Sequence, residues 1–406
     1  MRRLMSALLL VGGAAALVFG LGPAPLAAAA PARAPGSVAH PGQMPSQVAA
    51  WPQFHYNAAN TGYNPLETTI GPGNAGSLHL LWTASTAGAA AGIGAVSIAG
   101  GGAFLATFGD STLRAWRATD GASMWSAVAA DGPESTPAIG GGRVFIESNS
   151  GTLYAFSATT GSVLWGKSIG GAVTSPVLVK GVVYAAGYFT MNAFDAASGT
   201  LLWSAGLPCI VRSNPAAVGG RLFVTTEQCG TRGPGARNLV ALDASTGSVQ
   251  WTKPIGRIQL ASPVVGGGLV YVCAEGGLVA RGVVHGYLRW STKSAGCFQQ
   301  GTDTLAPALA QGVLYAPLTG SRISAFNAST GALLWSAGSR GDVAAPAVAN
   351  GVLYVPTGTG AIAAYDTSTH ALLWTSPKNG FRESSPAVVN GILYVGGDKG
   401  LYAFGP

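Results

Sequence analysis

SPAVVNGILYV, residues 385–395, is one copy of a segment that recurs along the chain. TPAIGGGRVFI stands at 136–146, SPVLVKGVVYA at 175–185 and SPVVGGGLVYV at 262–272. Seven prolines mark the copies: Pro137, Pro176, Pro215, Pro263, Pro307, Pro346 and Pro386. Five residues after each comes a glycine: Gly142, Gly181, Gly220, Gly268, Gly312, Gly351 and Gly391. Three residues further stands an aromatic: Phe145, Tyr184, Phe223, Tyr271, Tyr315, Tyr354 and Tyr394. An eighth, degenerate copy starts near Val96, with Ser97 at the proline position and Gly102 at the glycine position. Each copy reads as a hairpin. An apolar strand starts at a proline, where an N–H can be spared, and turns at a glycine, which tolerates positive φ.

Outward from the hairpin comes a third strand, such as LYAF at 153–156, MNAF at 191–194 or IAAY at 362–365. A turn and a tryptophan follow, as in DAASGTLLW at 195–203, DASTGSVQW at 243–251 and NASTGALLW at 327–335. Gly-x-x-x-Trp holds at Gly121, Gly161, Gly199, Gly247, Gly286 and Gly331; His370 replaces the glycine before Trp374. Four strands in about 40 residues make one propeller blade. The last unit stops after its third strand at LYAFGP, 401–406, while a spare fourth strand with its tryptophan, LHLLWTAS, lies at 78–85. Pairing the two closes a ring and hides both open edges. Eight tryptophans count the blades: Trp82, Trp125, Trp165, Trp203, Trp251, Trp290, Trp335 and Trp374. The fold class expected is therefore all-β, an eight-bladed propeller of four-stranded antiparallel blades over residues 51–406, closed by an N-terminal strand.

The D/N-x-x-S/T-G-x-x-x-W unit resembles the tryptophan-docking repeat of the pyrroloquinoline-quinone (PQQ) type propeller family. That family includes PQQ-dependent alcohol dehydrogenases and the propeller lipoprotein of outer-membrane assembly. The resemblance spans roughly residues 51–406, and WPQFHYNAANTGYNP at 51–65 is similar to the family's lead-in. It implies that each tryptophan packs between neighbouring blades. Fold and chemistry separate readily, so the resemblance leaves function open.

Composition fits many short strands: 61 of 406 residues are glycine and only 9% are charged. A length that would ordinarily mean several domains is reached by repetition, since each unit brings its own piece of core. Arg2 and Arg3 precede an apolar run from Leu4 to Leu21, and small residues continue to Ala30. This reads as a signal peptide over 1–30 and a flexible linker over 31–50. Breaks at Gly12, Gly13, Gly20, Pro23 and Pro25 favour cleavage over an uncleaved anchor. The expectation is a secreted or extracytoplasmic monomer, free of the membrane after cleavage. Its formal charge falls from +7 to +5 with Arg2 and Arg3, and the remaining basic residues are scattered. Nucleic acid is not an expected partner.

PQQ enzymes of this family typically carry a vicinal cysteine disulfide, acidic and amide Ca²⁺ ligands, and an Asp base. This chain has no adjacent cysteines, and no motif takes over those catalytic residues. Its histidines, His40, His55, His79, His285 and His370, show no metal-ligand spacing, and no catalytic or metal residue is assigned. One constellation remains. Before the repeat prolines stand Glu134, Arg212, Gln259, Asp303, Asp342, Arg382 and Glu383; after the repeat glycines stand Glu227, Glu275 and Asp398. In a propeller both loop sets share one face, so these residues form a polar funnel for a ligand or partner, or ion pairs that hold loops in place. Cys209, Cys229, Cys273 and Cys297 are an even set in an exported chain; the expected bridges are Cys209–Cys229 and Cys273–Cys297. The reading is a non-catalytic binding or scaffold module for a protein or cell-envelope partner. The alternative is an oxidoreductase using PQQ and Ca²⁺ in the funnel, of the alcohol or sugar dehydrogenase kind. A lectin-like module resting on exposed Tyr and Trp is a third.

Overall fold

The computed structural model describes residues 50–86, 95–107, 110–129, 132, 135–171, 174–227, 237–256, 261–274, 277–292, 306–318, 322–339, 344–381 and 384–406. The expected signal peptide and all but the end of the linker lie outside these residues. Eight antiparallel sheets follow one another, one per repeat unit; helix among the described residues is limited to a 3₁₀ turn at Ala75–Ser77. Blade 2 is representative, with strands Ala138–Gly140, Arg143–Glu147, Thr152–Ser157 and Val163–Ser168 in simple up-and-down order. Blade 8 comprises Ala387–Val389, Ile392–Gly397 and Gly400–Gly405, and His79–Ser85 completes it by pairing with Gly400–Gly405. The ring is closed by the N-terminal strand, as the split unit required.

The repeat residues explain each other. Every ring tryptophan lies opposite an alanine of the third strand, as Trp165 faces Ala155, Trp203 faces Ala193 and Trp335 faces Ala325. The second-strand aromatic faces the same alanine from the other side, as Phe145 faces Ala155 and Tyr184 faces Ala193. A methyl group is small enough for the two rings to meet over it: Phe145–Trp165 centroids lie 5.7 Å apart, and Tyr184–Trp203 6.0 Å. Such aromatic pairs add about 1 kcal/mol beyond the area they bury.

Between blades, six of the eight tryptophans meet the turn glycine of the next unit. A Cβ added to Gly247 would sit 2.6 Å from the Trp203 ring, and one on Gly161 would sit 2.5 Å from Trp125. Gly247 also has φ +74°, which costs an L side chain. The indole N–H groups of Trp125, Trp203, Trp251 and Trp290 donate to Ala158, Ala244, Val283 and Ala328 in the following blade. Trp251 and Trp290 are buried, and the other six are partly buried. Where His370 replaces the glycine, its imidazole stacks on Trp335 at 4.8 Å.

Blade 1 corrects the sequence alignment by one residue. Ser97 faces Phe104 just as Ala138 faces Phe145, so Val96 holds the proline position and Gly101 the glycine position. A one-residue slip would turn every side chain to the opposite face. On the outside of the ring, the fourth strand of all eight blades bulges beside its tryptophan. A bulge twists an exposed edge away from pairing with another chain, which matters where Leu201 and Leu202, or Leu333 and Leu334, face solvent.

The innermost strands line the channel with an unpaired edge, and the lead-in segment occupies it. Trp51 exchanges two 2.8 Å main-chain bonds with Ile98 of blade 1. Pro52 O accepts from Ile139, Gln53 Oε1 from Leu178, Ala58 O from Ala217 and Ala59 O from Val265. Thr61 O accepts from Leu309, Gly62 O from Val348, and Asn64 Nδ2 donates to Val388 O. These are the middle residues of the first strands of blades 1 to 8, visited in order. Fourteen residues thus satisfy a hydrogen-bonding group on every blade, at the expense of positive φ at His55, Tyr56 and Asn60.

Candidate functional site

The strap decides which end of the channel can receive anything. After Asn64 the chain passes beneath blades 7 and 8. There Glu67 accepts from the turn N–H of Gly391, and Asn350 donates to Ile70 O. Higher in the channel, Asn60 Nδ2 donates to the carbonyls of Pro215 and Pro263, at 3.0 Å each. His55 sits fully buried between Asn60 O at 2.7 Å and Pro346 O at 2.8 Å. Burial pushes its pKa down to about 4, although both carbonyls favour the charged ring. Phe54 packs in one apolar cluster with Ala261, Ala306 and Ala345, the residues just before the first strands of blades 5 to 7. The loop-rich mouth therefore opens onto a floor made by the chain itself.

Around that floor the blades are tied by residues preceding the prolines. Thr136 N donates to Ser175 Oγ, Ser175 N to Asn214 Oδ1 and Asn214 N to Ser262 Oγ. Of the polar residues expected from the sequence, Arg212, Glu227 and Asp398 are described. Arg212 and Glu227 come together: Arg212 Nε donates to Glu227 Oε1 at 2.7 Å. Arg237, which the sequence reading missed, donates to Glu227 Oε2 at 2.8 Å. It lies directly opposite Glu227 in the strand register of blade 4, whose outer strands run Arg221–Glu227, Arg237–Asp243 and Val249–Gly256. Asp398 is not part of this cluster; it lies across the ring in blade 8, its carboxylate against Gly380. Glu134, Gln259, Glu275, Asp303, Asp342, Arg382 and Glu383 lie outside the described residues.

Blade 4 also carries an extra strand. Ile210–Val211 adds a fifth strand against Glu227 and Thr226. Beside it, the loop between the second and third strands of blade 3 exposes Tyr188 and Phe189, at 43% and 52%. The Arg212 guanidinium lies 5.8 Å from the Tyr188 ring centroid. Neither aromatic carried a repeat signature, so nothing in the sequence marked them. A further residue missed was Glu147, which ends the second strand of blade 2 and is fully buried. Burial raises its pKa well above 4.5, although Thr174 N and Oγ1 both donate to Oε2. Its Oε1 has no hydrogen-bond partner. Cys209 and Cys273 are buried, and no free cysteine occurs among the described residues; Cys229 and Cys297 lie outside them.

A family profile described as Outer membrane protein assembly factor BamB matches residues 74–188, 187–342 and 319–405, nearly the whole ring. The chain belongs to the PQQ-type β-propeller repeat family. Among solved structures this PQQ-type propeller is similar to the quinohemoprotein alcohol dehydrogenase of Comamonas testosteroni. The TM-score is 0.74 at 14% identity, over 88% of this chain and 80% of that one. A europium-containing methanol dehydrogenase gives 0.71 at 15% identity, over 86% and 89%. BamB from Moraxella catarrhalis gives 0.63 at 18% identity, over 80% and 97%. At these identities the likeness carries the fold and not the chemistry. No curated protein sequence matches the chain significantly.

PQQ is a planar tricarboxylate and Ca²⁺ takes six to eight oxygen ligands. The described part of the mouth does not fit that pair. Its two described guanidinium groups both belong to blade 4 and share one carboxylate, Glu227, Arg212 through Nε and Arg237 through Nη2. No three carboxylate, imidazole or thiol groups come together among the described residues.

Proposed function

We propose that this PQQ-type propeller is an exported, non-catalytic binding or scaffold module that holds a protein partner of the cell envelope through its loop-rich face. The observation that carries the reading is the strap. Residues 51–64 fill the channel from the opposite side and bond to all eight blades, so the mouth is left as a surface over a built floor. A surface of that kind suits a partner better than a reaction, because nothing described at the mouth is poised as a nucleophile, base or ligand set. The basic start, the apolar run to Leu21 and the even cysteine set support export. The proposed bridges Cys209–Cys229 and Cys273–Cys297 would brace the long loops of blades 4 and 5. The likeness to BamB, whose family is described as an outer membrane protein assembly factor, supports a protein partner in the envelope.

Site-specific photo-crosslinking in the producing cell tests this. A photoreactive residue replacing Asp398, at the mouth, should capture a discrete protein. One replacing Ser245, in a turn of the opposite face, should capture none. The reverse pattern would refute the reading.

A further inference from the structure

The crest formed by blades 3 and 4 is built differently from the rest of the mouth. Among the described loops between second and third strands, that of blade 3 alone presents two adjacent aromatics, Tyr188 and Phe189, both widely exposed. Neighbouring exposed aromatics cost solubility and mark interaction sites. Their surroundings are fixed rather than loose. Val211 N donates to Tyr188 O, and Leu207 N to Phe189 O, so the loop is pinned to the fifth strand beside it. Glu227, itself only 12% exposed, holds Arg212 by Nε and Arg237 by Nη2. One carboxylate between two guanidinium groups leaves the cluster with a net positive charge. Arg212 remains 39% exposed, its bond to Glu227 is made from Nε, and its planar group lies beside the Tyr188 ring. An arginine oriented by a neighbour and set beside an aromatic ring is preorganised to take a carboxylate by its terminal fork. Aromatic and arginine side chains on a rigid support also have the composition of binding hot spots.

We infer that Tyr188, Phe189 and Arg212 form the anchor point of the partner surface, and that its occupant is an extended protein segment with a carboxylate beside an apolar or aromatic side chain. The carboxylate meets Arg212, and the apolar side chain covers Phe189 and the outer face of Tyr188. This rests on the reading of the mouth as a partner surface and assigns the contact within it.

The test uses a display library of random dodecapeptides selected on the full exported chain. Selected peptides should share an Asp or Glu close to an apolar or aromatic residue. Their affinity should fall about tenfold or more for Arg212→Gln and for the double variant Tyr188→Ala, Phe189→Ala. Arg212→Lys should weaken binding nearly as much, because it keeps the charge and loses the fork. Lys180→Gln, in an exposed turn of the opposite face, should change nothing. Unchanged far-ultraviolet dichroism and melting temperature will show that each variant is folded. Peptides without a carboxylate, or peptides indifferent to all crest variants, would overturn the inference. If such peptides instead lose binding with Asp398→Asn, the mouth stands as the partner surface and only the crest is wrong. If they lose it with Lys180→Gln, or if no peptide is selected, both fail.

Discussion

Trp203→Ala removes one joint of the ring, and its cost can be worked from the contacts. The indole donates to Ala244 O at 3.0 Å, lies against Gly247 and meets Tyr184 across Ala193. Truncating a buried tryptophan to alanine costs about 3–5 kcal/mol, and a lost hydrogen bond accounts for about 1 kcal/mol of that. Trp203 is partly buried, so the low end, about 3 kcal/mol, is the expected loss. An unfolding entropy of about 2.1 cal/mol/K per residue over roughly 350 residues gives about 0.7 kcal/mol/K for a ring that melts as one unit. The melting temperature should therefore drop by about 4 °C. Trp203→Phe keeps an aromatic over Ala193 and loses the indole N–H, so about 1–2 °C is expected. Differential scanning calorimetry at matched scan rates separates the three proteins. A Trp203→Ala protein melting within a degree of the parent would refute the role given to the tryptophan joints.

Glu147→Gln should stabilise the protein increasingly as pH rises. A carboxyl whose folded pKa lies above its ordinary 4.5 resists ionisation in the fold, so the parent loses stability above that pH until the folded value is passed. Denaturant midpoints at pH 4 and pH 8 should differ little and then clearly between the two proteins; a constant difference would contradict a carboxyl held neutral by burial. Deleting His79–Ser85 should give an aggregating protein, because it opens the edge of Gly400–Gly405 and removes Trp82; a monomer with unchanged melting would show that the ring does not need this strand. Non-reducing peptide mapping of the exported protein should find Cys209 linked to Cys229 and Cys273 to Cys297, each closing a loop short enough to contribute about 3 kcal/mol. Any other linkage, or free thiols at these positions, would remove the brace from blades 4 and 5.

The blades were legible because proline, glycine, aromatic and tryptophan recur at fixed spacing, and each has a backbone or packing reason to stand where it does. The slip in blade 1 has an equally definite cause. That unit lacks the proline, and Gly100, Gly101 and Gly102 offer the turn in three registers; Phe104, three residues after Gly101, was the residue that fixed it. The strap was invisible because its bonds are almost all main-chain and follow the ring, not a sequence period. At the mouth, Arg212 and Glu227 stood out in the sequence as loop charges, whereas Arg237 did not. Pairing Glu227 with Arg237 needed the strand register across the intervening hairpin. Tyr188 and Phe189 stand in a loop, where no periodicity marks a residue for notice.

The proposal makes the mouth a surface for a protein partner and not a quinone site. Titrating the purified exported protein with PQQ in the presence of Ca²⁺, with dye-linked turnover followed on alcohols and sugars, tests it most directly. No saturable PQQ binding and no turnover are expected. Saturable binding accompanied by dye reduction that depends on an alcohol or sugar would contradict it.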